Sequence, residues 1–101
     1  MADRMLSLLG LVRKAGRLSF GNDAACKAAL SGGCALILFS SDLSPRTVRA
    51  VREAAGRKNV KTAALRATMD EIEKAIGKRT GVLAVNDTGF AKKLLALNAE
   101  D

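Results

Sequence analysis

Apolar residues recur along this chain at two spacings, which predict helices and strands in alternation. Apolar residues three and four apart, as at Met5, Leu8, Leu9 and Val12, are typical of a helix with one buried face. Together with capping residues and glycines, this spacing predicts five helices. The first covers residues 3–15, and the second runs from Asn22 or Asp23 to the Gly32-Gly33 pair. The third runs from Ser44-Pro45 to Gly56, the fourth from the Thr68 capping box to Gly77, and the fifth begins at Asp87.

Four shorter stretches predict strands. Leu18 and Phe20 alternate with polar residues in the stretch 17–20, whereas residues 34–39 and 81–85 are almost uninterrupted apolar runs. Such runs are typical of central strands that are covered on both faces. Residues 61–65 form a weaker strand pattern. Because strands and helices alternate with short connections, we expect an α/β fold, a three-layer α/β/α sandwich around a mixed sheet of about four strands.

Length and charge narrow the class of protein. The 101 residues suit a single domain spanning 1–101. Lys and Arg number 17 against 10 Asp and Glu, giving a net charge of +7 with no histidine. A balance this basic favours a polyanionic partner such as nucleic acid, although a merely solvated basic surface has the same composition. With no Trp, no Tyr and three Phe, we do not expect a sheet surface that stacks bases, so RNA would meet helix ends, loops and backbone groups.

The start of the second helix is the strongest functional candidate in the sequence. Helix N-termini present unpaired N–H groups and a partial positive charge, both of which attract phosphate. Gly21 lacks a side chain and lets another backbone approach, while Asn22 and Asp23 can cap the helix or accept hydrogen bonds from base edges. Lys27 lies one turn beyond Asp23 on the same face. The alternative is an ordinary capped helix with a solvated lysine.

Neither catalytic nor metal-binding motifs are visible. Cys26 and Cys34 are eight residues apart, which is not a zinc spacing, and no histidine could complete a site. The spacing leaves a disulfide open, but the apolar surroundings favour reduced packing residues in a cytoplasmic protein. A serine or cysteine nucleophile would lack its usual base, and carboxylates such as Asp42, Asp70 and Asp87 stand where helix capping explains them. We therefore expect no enzymatic activity, no cofactor and no metal.

The sequence predicts no association with a membrane. No targeting segment is visible at the start of the chain, and the longest apolar run, residues 34–39, is too short to cross a bilayer.

Several short motifs, taken in order, resemble one family of RNA-binding proteins. They are Gly10-Leu-Val-Arg-Lys-Ala-Gly16, Gly21 with Lys27-Ala28, Ser41-Asp-Leu-Ser44, Ala75-Ile-Gly-Lys78, and Ala84-Val-Asn-Asp87 with Gly89-Phe-Ala-Lys-Lys-Leu94. Together they resemble the ribosomal protein seven-Ae and thirty-e family, whose members bind kink-turn RNA, and above all its small bacterial, YlxQ-type members. The resemblance extends over about residues 5–95 and implies an α/β/α sandwich. It also implies an RNA surface formed by the start of the second helix and the loop before the last strand.

The resemblance implies a set of RNA-binding residues. Gly21 and Lys27 keep the spacing of the family pattern Gly-x-Asn-Glu-x-x-Lys, but Asp23 and Ala24 stand at the Asn and Glu positions. The implied residues are Arg17, Gly21, Asn22, Asp23 and Lys27 around the helix start, and Lys78, Arg79 and Thr80 in the late loop, which we expect to lie beside that helix start.

Two functions are consistent with these observations, whereas a third, a small enzyme or the substrate-recruiting domain of an RNA-modifying enzyme, is disfavoured because no catalytic set is visible. The first is a non-catalytic RNA-binding protein of ribosomal type, a monomer that recognises structured, kink-turn-like RNA. Its RNA would be ribosomal or a messenger leader, and the ribosome is a candidate partner. The second is a structural or protein-interaction module of the same fold with weakened RNA specificity, which Asp23 and Ala24 favour.

Overall fold

The computed structural model describes residues 2–100 and the side chains of residues 4–99. Helices and strands alternate as the residue pattern predicts, with boundaries within two residues of the predicted ones. They are α1 (Ala2–Lys14), β1 (Leu18–Phe20), α2 (Asn22–Ser31), β2 (Leu36–Phe39), α3 (Pro45–Gly56), β3 (Lys61–Ala64), α4 (Met69–Ile76), β4 (Val82–Val85) and α5 (Thr88–Glu100). No helix in this described part of the chain is both long and apolar enough to cross a membrane.

The four strands form one mixed sheet in the order β1-β4-β2-β3. Strand β4 is antiparallel to both of its neighbours, with Leu83 opposite Phe20 on one side and Leu38 on the other. Strand β2 is parallel to β3, and Phe39 lies opposite Ala64. The expected mixed sheet of four strands is therefore confirmed. The two central strands are the two continuous apolar runs, because only these strands are covered on both faces.

Helices cover both faces of the sheet, which confirms the three-layer sandwich. Leu36 and Leu38 of β2 point into a core that α1, α4 and α5 complete with residues such as Leu9, Ile72 and Leu94. The alternate residues of β2, Ile37 and Phe39, point into a second core, which α2 and α3 complete. Because side chains of a strand alternate between faces, one four-residue strand supplies both cores.

Three helices begin at the same end of the sheet. Strands β1, β2 and β3 all run in one direction, since β1 and β2 are each antiparallel to β4 and β3 is parallel to β2. Helices α2, α3 and α4 follow these strands directly, so their N-termini gather at the carboxyl ends of the strands. The loop of residues 77–81, which leads into β4, reaches the same end. We call this the α2 end of the molecule.

Candidate nucleic-acid interface

Gly21 is the N-cap of α2, and its conformation turns the chain from β1 into the helix. Its φ of 89° and ψ of 164° lie in a region that is essentially restricted to glycine. A Cβ built at this position would meet no other atom within 4 Å, so it is the backbone conformation, not crowding, that requires glycine. The prediction that α2 begins at Asn22 or Asp23 is confirmed, but neither side chain caps the helix, because no side chain accepts from the amides of its first turn.

The first turn of α2 leaves backbone donors exposed to a ligand. The first amide of the helix with a partner is that of Ala25, which donates to the carbonyl of Gly21 at 3.0 Å. Within the described chain, the amides of residues 22, 23 and 24 have no acceptor. By contrast, the Ser44 and Thr68 side chains cap α3 and α4. Of the three helix starts at this end, α2 therefore presents the most unsatisfied N–H groups.

Two polar side chains flank these amides. Asn22 and Asp23 are both exposed on the first turn of α2. The side-chain oxygen of Asn22 accepts a hydrogen bond from the Cys26 thiol at 3.4 Å, which leaves its amide nitrogen free to donate. Asp23 adds a negative charge to the helix start, where the helix dipole stabilises it. The site can thus donate through amides and accept through a carboxylate.

The late loop lies beside the start of α2, as the sequence predicts. The amide of Gly21 donates to the carbonyl of Val82 at 2.9 Å, which ties the helix start to the first residue of β4. The ammonium of Lys78 lies 5.6 Å from the centre of the Phe20 ring. Phe20 immediately precedes Gly21, so Lys78 contributes positive charge at the same end of the molecule as the unsatisfied amides.

A second cation joins Lys78, and sequence reasoning did not single it out as a site residue. The guanidinium of Arg13, in the last turn of α1, lies 5.6 Å from the centre of the same Phe20 ring. It packs against Gly77, where a Cβ would come within 2.8 Å of its nitrogen. Two cations near one aromatic ring are held by its negative π faces. The only sequence signal for this role is the position of Arg13 within the Gly10–Gly16 motif.

The other two residues of the loop are less available. Arg79 forms an exposed ion pair with Asp70 in the first turn of α4, so its charge is partly neutralised. Thr80 is only 8% exposed. Its hydroxyl donates to the carbonyl of Val82 at 2.9 Å and accepts from the Val82 amide at 3.3 Å. The Thr80 side chain therefore stabilises the entry into β4 and does not face a ligand.

Lys27 and Arg17 are exposed, but they differ in their position relative to the α2 start. Lys27 lies one turn into α2 and has no carboxylate at ion-pair distance among the described residues. Arg17 precedes β1 at the opposite end of the sheet, where its carbonyl accepts from the amide of Asn86 at 2.8 Å. Four residues of extended chain separate Arg17 from Gly21, about 13 Å. The structure therefore gathers Gly21, Asn22, Asp23, Lys27, Lys78 and Arg79 and leaves Arg17 apart.

Carboxylates near the helix starts act as caps, as the sequence predicts, with the exception of Asp70, which forms an ion pair with Arg79. Asp42 accepts from the amide of Met69 at 3.1 Å, Glu71 from that of Thr68 at 3.0 Å, and Asp87 from that of Phe90 at 2.9 Å. Among the described residues, no group of three or more His, Cys, Asp and Glu is placed to hold a metal ion.

Both cysteines are free thiols, in agreement with the interpretation of Cys26 and Cys34 as reduced residues. Burial raises the pKa of the Cys34 thiol, in spite of backbone hydrogen bonds that act in the opposite direction.

Comparison with known proteins relates the chain to solved structures only. No protein-family model and no curated protein sequence matches it. A 15.5-kDa RNA-binding protein of Giardia lamblia superposes with a TM-score of 0.77 at 17% identity, over 94% of this chain and 84% of that one. At that identity the likeness establishes a shared fold.

A protein of unknown function from Bacillus halodurans is a nearer relative. It superposes with a TM-score of 0.88 at 32% identity, over 94% of this chain and 96% of that one. The agreement covers almost the full length of both chains. This chain therefore belongs to the same family as the Bacillus halodurans protein.

Proposed function

We propose that the protein binds structured RNA of the kink-turn type through the start of α2 and the adjoining loop of residues 77–81, and that it is non-catalytic. The observation that carries the proposal is the first turn of α2, where three backbone amides lack an acceptor, at the same end of the molecule as Lys78. The shared fold with an RNA-binding protein and the family resemblance in the sequence both support it.

The chemistry of the site suits the backbone and the base edges of a bent RNA. Unsatisfied amides at a helix N-terminus bind phosphate oxygens or base acceptors, and the helix dipole adds attraction for anions. Lys27 on α2, together with Lys78 and Arg13 beside the Phe20 ring, supplies positive charge at this end of the molecule. Regular A-form duplexes hide their base edges in a deep, narrow major groove, whereas a kink exposes them. The site should therefore prefer kinked RNA to a straight duplex.

A non-catalytic role is supported by what the carboxylates do. Asp42, Asp70, Glu71 and Asp87 are each engaged with a backbone amide or with an arginine. A general acid or base has to be free to exchange a proton with a substrate, and these four groups are held in structural contacts.

The second candidate is a structural or protein-interaction module that has lost RNA specificity. Its specific support is Asp23, an exposed carboxylate on the first turn of α2 beside the unsatisfied amides. A negative charge there repels phosphate, although it could accept a hydrogen bond from a base amino group. The two candidates differ in whether binding depends on the shape of the RNA.

The decisive experiment is a titration of the full-length protein with two RNAs at near-physiological salt: one kink-turn, and one straight duplex of equal length and similar composition. We expect a preference of about tenfold for the kink-turn, or about 1.4 kcal/mol. We expect this preference to be modest because Asp23 can accept a hydrogen bond from a base amino group but also repels phosphate.

One outcome of this titration would overturn the preference for the kink-turn. Equal affinities, both falling steeply with salt, would leave only electrostatic attraction and favour the second candidate.

The variant Asp23→Asn tests the contribution of the Asp23 carboxylate, because asparagine has nearly the same shape and no charge. A rise in the kink-turn preference would identify Asp23 as the feature that weakens recognition, whereas a fall would mean that its carboxylate reads a base.

A further inference from the structure

Most of the excess positive charge of the chain lies away from the start of α2. Residues 41–66 contain seven Arg and Lys against two Asp and Glu, a net charge of +5 out of the +7 of the whole chain. Six of these cations are exposed on α3, on the turn after it and at the start of β3. They form what we call the α3 basic surface: Arg46, Arg49, Arg52, Arg57, Lys58 and Lys61.

The cations of the α3 basic surface are not neutralised by ion pairs within the described part of the chain. Among the described residues, none of the six has a carboxylate at ion-pair distance. One of them is nevertheless held in place: the guanidinium of Arg52 lies 5.7 Å from the centre of the Phe39 ring, which is 1% exposed. A guanidinium stacked over a ring keeps its N–H donors pointing outward while losing little further freedom on binding. Arg52 is therefore pre-ordered to bind an anion.

The placement of Arg46 runs against helix stability. It stands in the first turn of α3, which contains no acidic residue. The dipole of a helix favours negative charge at this end, by about 0.3–1 kcal/mol per group. The neighbouring helix α4 follows that rule, with Asp70 and Glu71 in its first turn. A cation retained where the helix disfavours it points to a role in binding an anion.

The α3 basic surface begins at the same end of the molecule as the start of α2. Helices α2 and α3 pack side by side on one face of the sheet, and their N-termini lie at the same sheet end. From Arg46 to Arg57 the helix advances about 16 Å, away from that end. A polyanion bound at the start of α2 can thus continue along the outer face of α3.

The composition of the surface selects the kind of polyanion. The exposed large apolar side chains of the described chain are Leu11 and Leu30, and neither lies on this surface. A lipid surface or a protein groove would need apolar anchors. Single-stranded RNA would need exposed aromatic rings, and Phe39 is buried. Arginines on a surface without exposed large apolar or aromatic side chains match the phosphate backbone of a double helix, which they can bind bidentately.

We infer that the α3 basic surface binds the phosphate backbone of a duplex that flanks the kinked RNA held at the start of α2. The inference rests on the proposed function for the geometry of one RNA spanning both surfaces. In this arrangement α3 increases the affinity for RNA but adds no sequence specificity, since phosphate contacts position an RNA without reading its sequence.

The test compares two variants of the full-length protein that lose the same charge. Arg46→Gln/Arg49→Gln alters the α3 basic surface, and Lys92→Gln/Lys93→Gln removes two exposed cations from α5. Arg52 is left intact because it also covers Phe39. Each protein is titrated across a range of salt with a kink-turn RNA whose flanking duplex is short and with one whose duplex is extended. Far-UV circular dichroism and thermal midpoints establish that both variants are folded.

We expect Arg46→Gln/Arg49→Gln to weaken binding of the extended RNA by roughly tenfold and to flatten its log–log salt dependence by about two. The short RNA and the α5 variant should change little. If the two double variants behave alike on the extended RNA, the inference is wrong.

Lys27→Gln and Lys78→Gln, titrated in parallel, separate the proposed function at the start of α2 from the inference about α3. Loss of binding in these variants alone would leave the proposed function standing without the inference. Loss in Arg46→Gln/Arg49→Gln alone would remove the site at α2 and retain duplex binding by α3.

Discussion

Gly21 joins β1 to α2 in a conformation that other residues adopt only under strain. Its φ of 89° and ψ of 164° lead us to predict that Gly21→Ala lowers the free energy of unfolding by about 1–3 kcal/mol. Gly33→Ala is the matched control, because Gly33 is exposed and has no positive φ. It should change stability by no more than about 1 kcal/mol. Urea denaturation measures both variants, and equal effects would mean that strain at Gly21 is relieved by local rearrangement.

The cations around the start of α2 should contribute to RNA binding according to how free they are. We predict that Lys27→Gln and Lys78→Gln each weaken binding by roughly 1 kcal/mol. Each should also reduce the slope of the salt dependence by the contribution of about one phosphate contact. Arg79→Gln should cost less, because its guanidinium is already paired with Asp70. Lys92→Gln is the control for loss of charge as such. A variant of Lys27 or Lys78 with the affinity and salt slope of Lys92→Gln would remove that lysine from the site.

The helices at the α2 end begin in two different ways. Helix α4 has a complete capping box, in which Thr68 accepts from the amide of Glu71 at 3.2 Å and Glu71 accepts from that of Thr68 at 3.0 Å. Ser44 caps α3 by accepting from the amide of Thr47 at 3.2 Å. Helix α2 has no such cap, so its amides are satisfied by solvent or by a ligand. Two helix starts thus serve stability, while the third is available for binding.

The capping box of α4 should make a measurable contribution to stability. We predict that Thr68→Ala lowers the free energy of unfolding by about 1 kcal/mol, because the amide of Glu71 loses its acceptor at a helix end. Ser31→Ala is a suitable control, since the Ser31 hydroxyl only donates to the carbonyl of Ala28 in the last turn of α2. Alanine there should be close to neutral. Chemical denaturation followed by far-UV circular dichroism compares the two, and equal stabilities would show that the box is redundant.

Across the whole molecule, the two cores share the same central strands and should melt together. Ile37 packs with α2 and α3, whereas Ile72 packs with α1 and α5 on the opposite face, and both are fully buried. We predict that Ile37→Val and Ile72→Val each destabilise the protein by about 0.5–1.5 kcal/mol and shift one common unfolding transition. The reason is that both cores pack against the same sheet, so unfolding of the sheet disrupts both of them.

The chain offers a probe for this prediction, although it contains no Trp or Tyr. Cys34 is buried beside the α2–α3 core, and burial raises the pKa of its thiol, so its reactive thiolate is scarce until the protein unfolds. In a Cys26→Ala background, alkylation of Cys34 should follow the far-UV transition for both variants. Early alkylation in Ile37→Val but not in Ile72→Val would mean that the two cores open separately.

The order and type of the helices and strands could be predicted from the sequence because they depend on short-range interactions. Apolar spacing, the Ser44-Pro45 start and the Thr68 capping box act within a few residues, and the structure has all of them. The two continuous apolar runs likewise indicated which strands are covered on both faces. The adjacency of the late loop and the start of α2 was also predicted, although from resemblance to a family and not from the local pattern.

Tertiary contacts decided the remainder, because they join residues that no local pattern connects. The strand order β1-β4-β2-β3 places Val82 against Gly21, the N-cap of α2, whose amide donates to the Val82 carbonyl. The same packing turns Thr80 inward, although the two residues before it, Lys78 and Arg79, are exposed cations. It also brings Arg13 of α1 next to the ring of Phe20 and leaves Arg17 at the opposite end of the sheet. Exposure and proximity depend on long-range packing, whereas secondary structure is largely encoded in local spacing.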